Sequence, residues 1–447
     1  MKEIKEPSRT VPVMAETDVL VVGSGPGGLA AALAAAREGV DTILVERYGC
    51  FGGNITQSQV ETISWYRHEK TVEAGGIGVE FERRAKEMGG SRKNRESLGE
   101  YLDTDLFKYV ADNLVTEAGI VPILHCWAVD TVMEGDALRG IITESKSGRQ
   151  AILAKRVIDA SGDADIAHHV GAPYRKASGD ELMSATVSFG CSGVDVKRFL
   201  EYVELNPARL ADWAVTTSGK EDDLFTPYLE EPFKKAQKDG LIPKNMWVEA
   251  IWHSLTEAGE ATHINAVRVR GLDPTNVWDL TIGEMEGRKQ AMLVLEALKR
   301  YTPGFENATL RTFGSSLGTR ISRKIIGEYN ITEQDVKNEA RFEDSIGIFP
   351  EFLDAYGVVI IPTTGRYFQV PYGITVPRKV ENLLVAGRCV AGDRMSHAAT
   401  RQMMCCAVTG QGAGVAAAVS VKDNVTCRRV DIRTVQKALV KQGVRIA

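Results

Sequence analysis

Three glycines in the spacing Gly23-x-Gly25-x-x-Gly28, with an acidic side chain, Glu46, on the order of 20 residues further on, carry the clearest chemistry in this 447-residue chain. The pattern suits a dinucleotide diphosphate. Gly23 permits a tight turn, Gly25 lets backbone approach a pyrophosphate, and Gly28 lets a helix pack closely on a strand. Pro26 and Gly27 stand between them, where a helix N-terminus turns free N–H groups and its positive dipole end toward an anion. Glu46 stands where a ribose 2′-OH is accepted, and a carboxylate there disfavours a 2′-phosphate.

A second chemical pair lies near the other end. His397 and Arg401 form an H-x-x-x-R in SHAATR, ahead of the small-residue run GQGAGVAAAV (410–419). A histidine and an arginine so placed suit proton exchange with a substrate and stabilisation of a carboxylate or enolate. The competing reading is structural: His397 bonds backbone, and Arg401 pairs with a phosphate or a carboxylate.

The elements that must hold these residues are legible. The apolar run Val19–Val22 predicts a buried parallel strand, an alanine-rich helix follows to about Glu38, and Gly39 suits its C-terminus. Thr42–Val45 predicts the second strand. A lone glycine motif is weak, but a strand before it, a helix after it and an acid in place make it strong. The fold class expected is α/β: a Rossmann-like domain with a central parallel sheet and an antiparallel meander, plus a second α+β cap.

Three further segments favour FAD over NAD. Gly52-Gly53-Asn54 makes a second glycine turn just past the ribose strand. Residues 120–162 alternate short strands with turn signals, as in a small meander ending at Gly162-Asp163. NLLVAGR (382–388) predicts another buried strand ending in glycine, and the helix at 410–419 permits close approach to a flat ring. No second strand–GxGxxG–helix unit occurs, so a built-in NAD(P)H domain is not expected, and no CxxxxC follows the first motif.

Composition bounds the rest. The chain is 44% hydrophobic and 25% charged with a net charge of −5, which gives no electrostatic case for nucleic acid. No membrane span or signal-peptide core is read, so a cytoplasmic location without membrane partners is expected. The seven cysteines are scattered, without CxxC, and no metal site is expected. Adjacent His168 and His169 would point apart on a helix.

The chain resembles the bacterial FAD-dependent oxidoreductase family, within the glutathione-reductase-like flavoprotein superfamily. The resemblance rests on ERYGCFGGN (46–54), RVIDASGDADIAHHVGAP (156–173), HINAVRVRG (263–271), GTRISRKIIGEYNITEQD (318–335), VPYGITVPRKVENLLVAGR (370–388) and SHAATRQMMCCAVTGQGAG (396–414). It implies noncovalent FAD and a discontinuous cofactor domain. Carried over, it puts Gly23, Gly25 and Gly28 at the diphosphate and Glu46 at the adenosine ribose, with Pro26, Gly27, Arg47, Gly53 and Asn54 also binding the cofactor. Ala128 would meet the adenine, Gly162 and Asp163 would close over the diphosphate, and Gly387 and Arg388 would line the ribityl chain. Met404 and Cys405, just before the last helix, would bring N–H groups to the pyrimidine end of the flavin. The H-x-x-x-R is similar to that of fumarate-reductase-like flavoproteins, with a shorter interval from Arg401 to Gly410.

The expected domains are 1–60, 100–175 and 375–447 for FAD, and 61–99 and 176–374 for the cap, with 205–260 a loop-rich excursion. Arg320 and Arg323 are expected at the start of a helix with Glu328. Trp65, Tyr66, His68, Tyr367 and Phe368 read as core or as pocket walls. The expected activity is hydride transfer between a small organic substrate and flavin N5. The alternatives are reduction of an activated C=C bond with an external donor, and a non-catalytic FAD-holding subunit. A homo-oligomer is a further expectation.

Overall fold

The computed structural model describes residues 2–94, 97–207, 209–212, 222–225, 227–246 and 248–447. Parts of the expected excursion at 205–260 lie outside the described residues.

The N-terminal half builds one sheet. Strand β1 (Val13–Val22) leads into helix α1 (Pro26–Arg37), and β2 (Thr42–Val45) follows. Helices α2 (Gly76–Glu87) and α3 (Thr104–Glu117) precede β3 (Val121–Ile123). Then come β4 (Trp127–Glu134), β5 (Ala137–Ser145) and β6 (Gly148–Asp159). The order is β3-β2-β1-β6-β5-β4. Strands β3, β2, β1 and β6 run parallel, whereas β6, β5 and β4 form the antiparallel meander. The 12-residue β6 is long enough to serve both. Val19–Val22 of β1 are buried between parallel neighbours, as their unbroken apolar run requires.

A second, four-stranded antiparallel sheet follows in the chain. It comprises β7 (Phe189–Ser192), β8 (Val248–Leu255), β9 (Ala261–Val267) and β10 (Thr309–Phe313), in the order β8-β9-β7-β10. The long helix α4 (Val277–Tyr301) packs against it through Ala291, Val294, Leu295 and Leu298. The chain then returns to the first sheet: β11 (Leu383–Val385) pairs parallel with β6, and helix α5 (Met403–Lys422) packs on α1.

Two apolar cores result. One gathers the parallel sheet, α1 and α5, and it also takes Ile63, Tyr66, Ile77 and Phe81 and the stretch from Ile325 to Phe368. The other runs from Ala185 to Leu317. Segments 61–99 and 325–374, expected in the cap, put most of their buried apolar side chains into the first core.

Two local expectations are corrected. Helix α5 begins at Met403, ahead of the expected 410, because nothing in MMCCAV breaks a helix after the extended Gln402. Met404 and Cys405 thus lie inside its first turn rather than before it. Arg323 opens a short strand, Arg323–Ile325, paired with Tyr174–Lys176, so no helix starts there. Its guanidinium pairs with Asp165 at 2.8 Å, while Glu328 pairs with Arg428.

Candidate active site

The parallel strands end level: Val22 stands beside Val45 and Asp159, and Val385 beside Asp159. The loops leaving these ends line a cleft of ≈ 320 Å³, the position where open α/β sheets bind ligands. Gly23, Gly25, Pro26 and Gly27 line it after β1, Glu46 and Arg47 after β2, and Gly53 and Asn54 from the second glycine turn. Ala128, Gly162, Asp163, Gly387, Arg388 and Arg401 join them. Gly28, His397, Met404 and Cys405 do not line it; from α5 the lining residues are Met403 and Cys406.

The glycines divide by what surrounds them. Gly23 has φ +93°, and a Cβ there would stand 2.5 Å from the Ala160 carbonyl oxygen. A Cβ on Gly28 would meet the Gly23 carbonyl oxygen at 1.8 Å. These two serve packing. A Cβ on Gly25 would find only the Gly53 Cα, at 3.9 Å, so this glycine turns its open side to the cleft.

Glu46 is buried and braces the turn. Its Oε2 accepts from the Ser24 amide (2.9 Å) and hydroxyl (2.6 Å), and its Oε1 accepts from the Tyr48 amide (3.0 Å). A carboxylate offers about four acceptor sites, so capacity remains for a ribose hydroxyl. Arg47 lies over the rings of Tyr48 and Trp127, at 4.8 and 5.5 Å, beside Ala128.

At the α5 end, Arg388 donates to the Thr319 carbonyl (2.9 Å) and stands 3.4 Å from Asp163 Oδ1, which also accepts from Ser322 Oγ at 2.5 Å. Arg401 is held by the Asp354 backbone carbonyl and by its carboxylate at 3.0 Å. Its guanidinium thus reaches the cleft already half-neutralised.

His397 is 1% exposed. Its Nε2 lies 2.9 Å from the Arg320 carbonyl oxygen, as the structural reading of this residue expects, and Nδ1 has no partner among the described residues. Burial, reinforced by the nearby Lys324 charge, drives its pKa well below the ordinary 6.5, so the ring is neutral. The proton exchange expected of His397 needs the ring at the cleft. The short helix His397–Thr400 turns it instead onto the chain at Arg320.

The aromatics are packing residues: Tyr66 stacks on Phe352 at 4.6 Å, and Trp65 meets Phe352 edge-on at 5.1 Å. None of Trp65, Tyr66, His68, Tyr367 and Phe368 lines the cleft. Among the described residues no group of three or more His, Cys, Asp or Glu is placed to hold a metal. Sequence reasoning missed the residues of the Ala185–Leu317 stretch that wall the cleft, namely Pro274, Leu280, Glu284 and Leu317, with Ser316 and Thr319. The small polar run GSSLGT (314–319) was the available signal; α4 offered none.

A parallel sheet carrying a meander, a glycine turn after its first strand and a buried acid after its second define a Rossmann-like dinucleotide-binding fold. The cradle at Gly25, open where a side chain would fill it, fits the diphosphate of FAD. The sequence model of the FAD dependent oxidoreductase family matches residues 18–439, and the chain belongs to this family. It is an enzyme, and FAD is its cofactor.

A digeranylgeranylglycerophospholipid reductase of Methanosphaerula palustris is 23% identical over 73% of this chain and 89% of its own length. A thiamine thiazole synthase of Methanococcus vannielii is 30% identical over 34% of this chain. The chain spans 58%, 64% and 40% of the length of the first three curated relatives it matches. A solved geranylgeranyl bacteriochlorophyll reductase-like protein from Thermoplasma acidophilum aligns over 96% of this chain and 84% of its own, at 14% identity and a TM-score of 0.45. Among the described residues one helix, Met403–Lys422, is long and apolar enough to cross a membrane, and 94% of its apolar window is buried inside the protein.

Proposed function

We propose that this enzyme transfers a hydride between a small organic substrate and N5 of FAD. One observation carries the reading: a single cleft is lined both by the dinucleotide turns and by Leu280, Glu284 and Leu317 from the other part of the chain. FAD, when bound, supplies the two-electron chemistry. The chain's residues bind and orient. Gly23, Gly25, Gly27 and Gly28 shape the diphosphate turn, with Pro26 opening the helix above it. Glu46 takes the ribose, and Arg47 with Ala128 takes the adenine. Gly53 and Asn54, with Gly162 and Asp163, border the diphosphate, and Gly387 with Arg388 borders the ribityl chain. Met403, which lines the cleft, opens α5, and the free first-turn N–H groups at Met404 and Cys405 behind it add to the positive helix end that faces the pyrimidine end. Arg401 stabilises negative charge on the substrate. Leu280 and Leu317 exclude water beside it. His397 positions the chain at Arg320 and thereby the neighbouring Thr319.

A reductase direction, toward an activated C=C bond, is supported by the name of the Methanosphaerula relative. Membership of the glutathione-reductase-like superfamily is supported by the meander between parallel strands. A reducing compartment, the cytoplasm, is supported by seven free cysteines. Self-association is supported by the exposed apolar side chains Trp278, Ile282, Met285 and Met292 on α4.

The test is anaerobic mixing of the FAD-loaded enzyme with a panel of small hydroxy acids, amines and enoates, watched by flavin absorbance. Bleaching by a saturated donor supports oxidation. Reoxidation of photoreduced enzyme by an enoate supports the reductase direction. If no organic compound exchanges electrons in either direction, the hydride-transfer reading fails.

A further inference from the structure

A second cavity, of ≈ 20 Å³, shares no lining residue with the cleft. It is walled by Arg175, Lys176, Lys324 and Arg394, with Glu181 the one carboxylate among its lining residues. In the pairing of Tyr174–Lys176 with Arg323–Ile325, Arg175 stands directly opposite Lys324. Like charges directly opposite each other across two strands are unfavourable. Lys324 is 7% exposed, and its Nζ donates to the Asp393 carbonyl at 2.5 Å. Arg394 stacks over the Tyr356 ring at 3.8 Å and donates to the Asp180 carbonyl at 3.3 Å. Lys176 is paired with Asp273 at 2.6 Å, but Arg175, Lys324 and Arg394 form no ion pair among the described residues. Burial, opposed by Asp393 and reinforced by Arg175, draws the Lys324 ammonium down to about 8. Three cations converge where only Glu181 of the lining and the nearby Asp393 answer them, and of the three Lys324 is buried, where a charge without an ion-paired partner is costly.

We propose that this cavity is an oxyanion site that takes one phosphate group, free or as the end of a small phosphomonoester, on Arg175, Lys324 and Arg394. Guanidinium forks match phosphate oxygens bidentately, and the lysine adds a point charge. The enclosed space takes about one water-sized group, so one phosphate oxygen seats there and the rest of the group lies at the mouth, where Arg175 and Arg394 are exposed. The site also touches the neighbourhood of the cleft. Asp393, which holds Lys324, accepts the Ser396 amide at 2.7 Å, and Ile321 of the cavity wall follows Arg320, whose carbonyl meets His397.

The experiment titrates the FAD-loaded enzyme with inorganic phosphate, with phenyl phosphate and with sodium chloride at matched ionic strength, by calorimetry at pH 8. Saturable heat from phosphate or phenyl phosphate is expected, together with proton uptake as Lys324 regains its charge. Binding of the ester equal to or tighter than that of phosphate marks a phosphomonoester site, and binding of phosphate alone marks a free-anion site. Arg175→Ala and Arg394→Ala should each weaken binding roughly tenfold or more, the loss of one charge-assisted contact, with flavin content unchanged. Lys324→Met should abolish the proton uptake. No saturable heat beyond that of chloride, or equal binding by wild type and the Arg175→Ala/Arg394→Ala double variant, overturns the proposal.

Discussion

Gly410 of α5 lies against Gly27 of α1: a Cβ added to Gly410 would stand 2.0 Å from the Gly27 carbonyl oxygen. One turn on, a Cβ on Gly414 would stand 2.2 Å from the Ala31 carbonyl oxygen. The diphosphate turn and the helix that opens at Met403 are therefore locked together backbone to backbone. Gly410→Val puts side-chain atoms into a carbonyl that cannot withdraw. A loss of about 3 kcal/mol or more is expected, read as a lower urea midpoint, with FAD loss following unfolding. A midpoint within experimental error of wild type would show that the helices do not need this contact.

Gly25→Val should behave differently. Its Cβ meets nothing closer than 3.9 Å, so the fold should survive while the diphosphate position is filled. The expected product is folded, colourless protein. From wild type, acid precipitation should release yellow flavin into the supernatant, since the cofactor is expected to be noncovalent. A fully flavin-loaded Gly25→Val would disprove the assignment of this turn.

Arg401 and His397 should separate in kinetics. Arg401→Ala should keep FAD and lose roughly 10²-fold in the rate of flavin reduction by substrate, typical for removal of one charge-stabilising group, with partial rescue by Arg401→Lys. His397→Ala should lose roughly 2 kcal/mol of stability from an unmet carbonyl and a cavity. Its loaded fraction should still reduce within a few-fold of wild type. A loaded His397→Ala with a collapsed reduction rate would return this residue to a chemical role.

Stability should depend on pH through Glu61. This side chain is 2% exposed; its Oε2 accepts from Thr262 Oγ1 at 2.8 Å and faces Arg92 at 3.5 Å. Burial, offset in part by Arg92 and Thr262, raises its pKa from 4.5 to about 7. The folded state then holds a proton that the unfolded chain has released. Stability is highest below pH 4.5 on this account, falls as pH rises to 7 and is level above it. The span is on the order of 3 kcal/mol. Glu61→Gln, always neutral, should show a smaller fall in urea midpoint between pH 5 and 8. An unchanged fall would place the pH dependence elsewhere.

NADH and NADPH should be poor direct reductants, because no second strand–GxGxxG–helix unit occurs in the sequence. Anaerobic mixing with either at micromolar concentration should leave the flavin absorbance unbleached over minutes. Fast bleaching would show that the nucleotide binds in the cleft without a domain of its own.

How far the sequence reaches is seen in particular residues. Gly23, Gly25, Gly28 and Glu46 lie within one strand–turn–helix–strand unit. Their geometry follows from φ freedom, helix-terminus polarity and an unbroken apolar run, all local in the chain. The strand boundaries at Thr42–Val45 and the meander were legible for the same reason. His397 was not: its tautomer, neutrality and direction depend on the Arg320 carbonyl and on Lys324, both distant in sequence. Nor were Leu280, Glu284 and Leu317 at the cleft, or Arg175 opposite Lys324, since only strand pairing and helix packing bring them there. Short-range turn chemistry determined from sequence alone that this chain binds a dinucleotide. Long-range packing, paid for by burying two apolar cores, decided which side chains face it and which turn away.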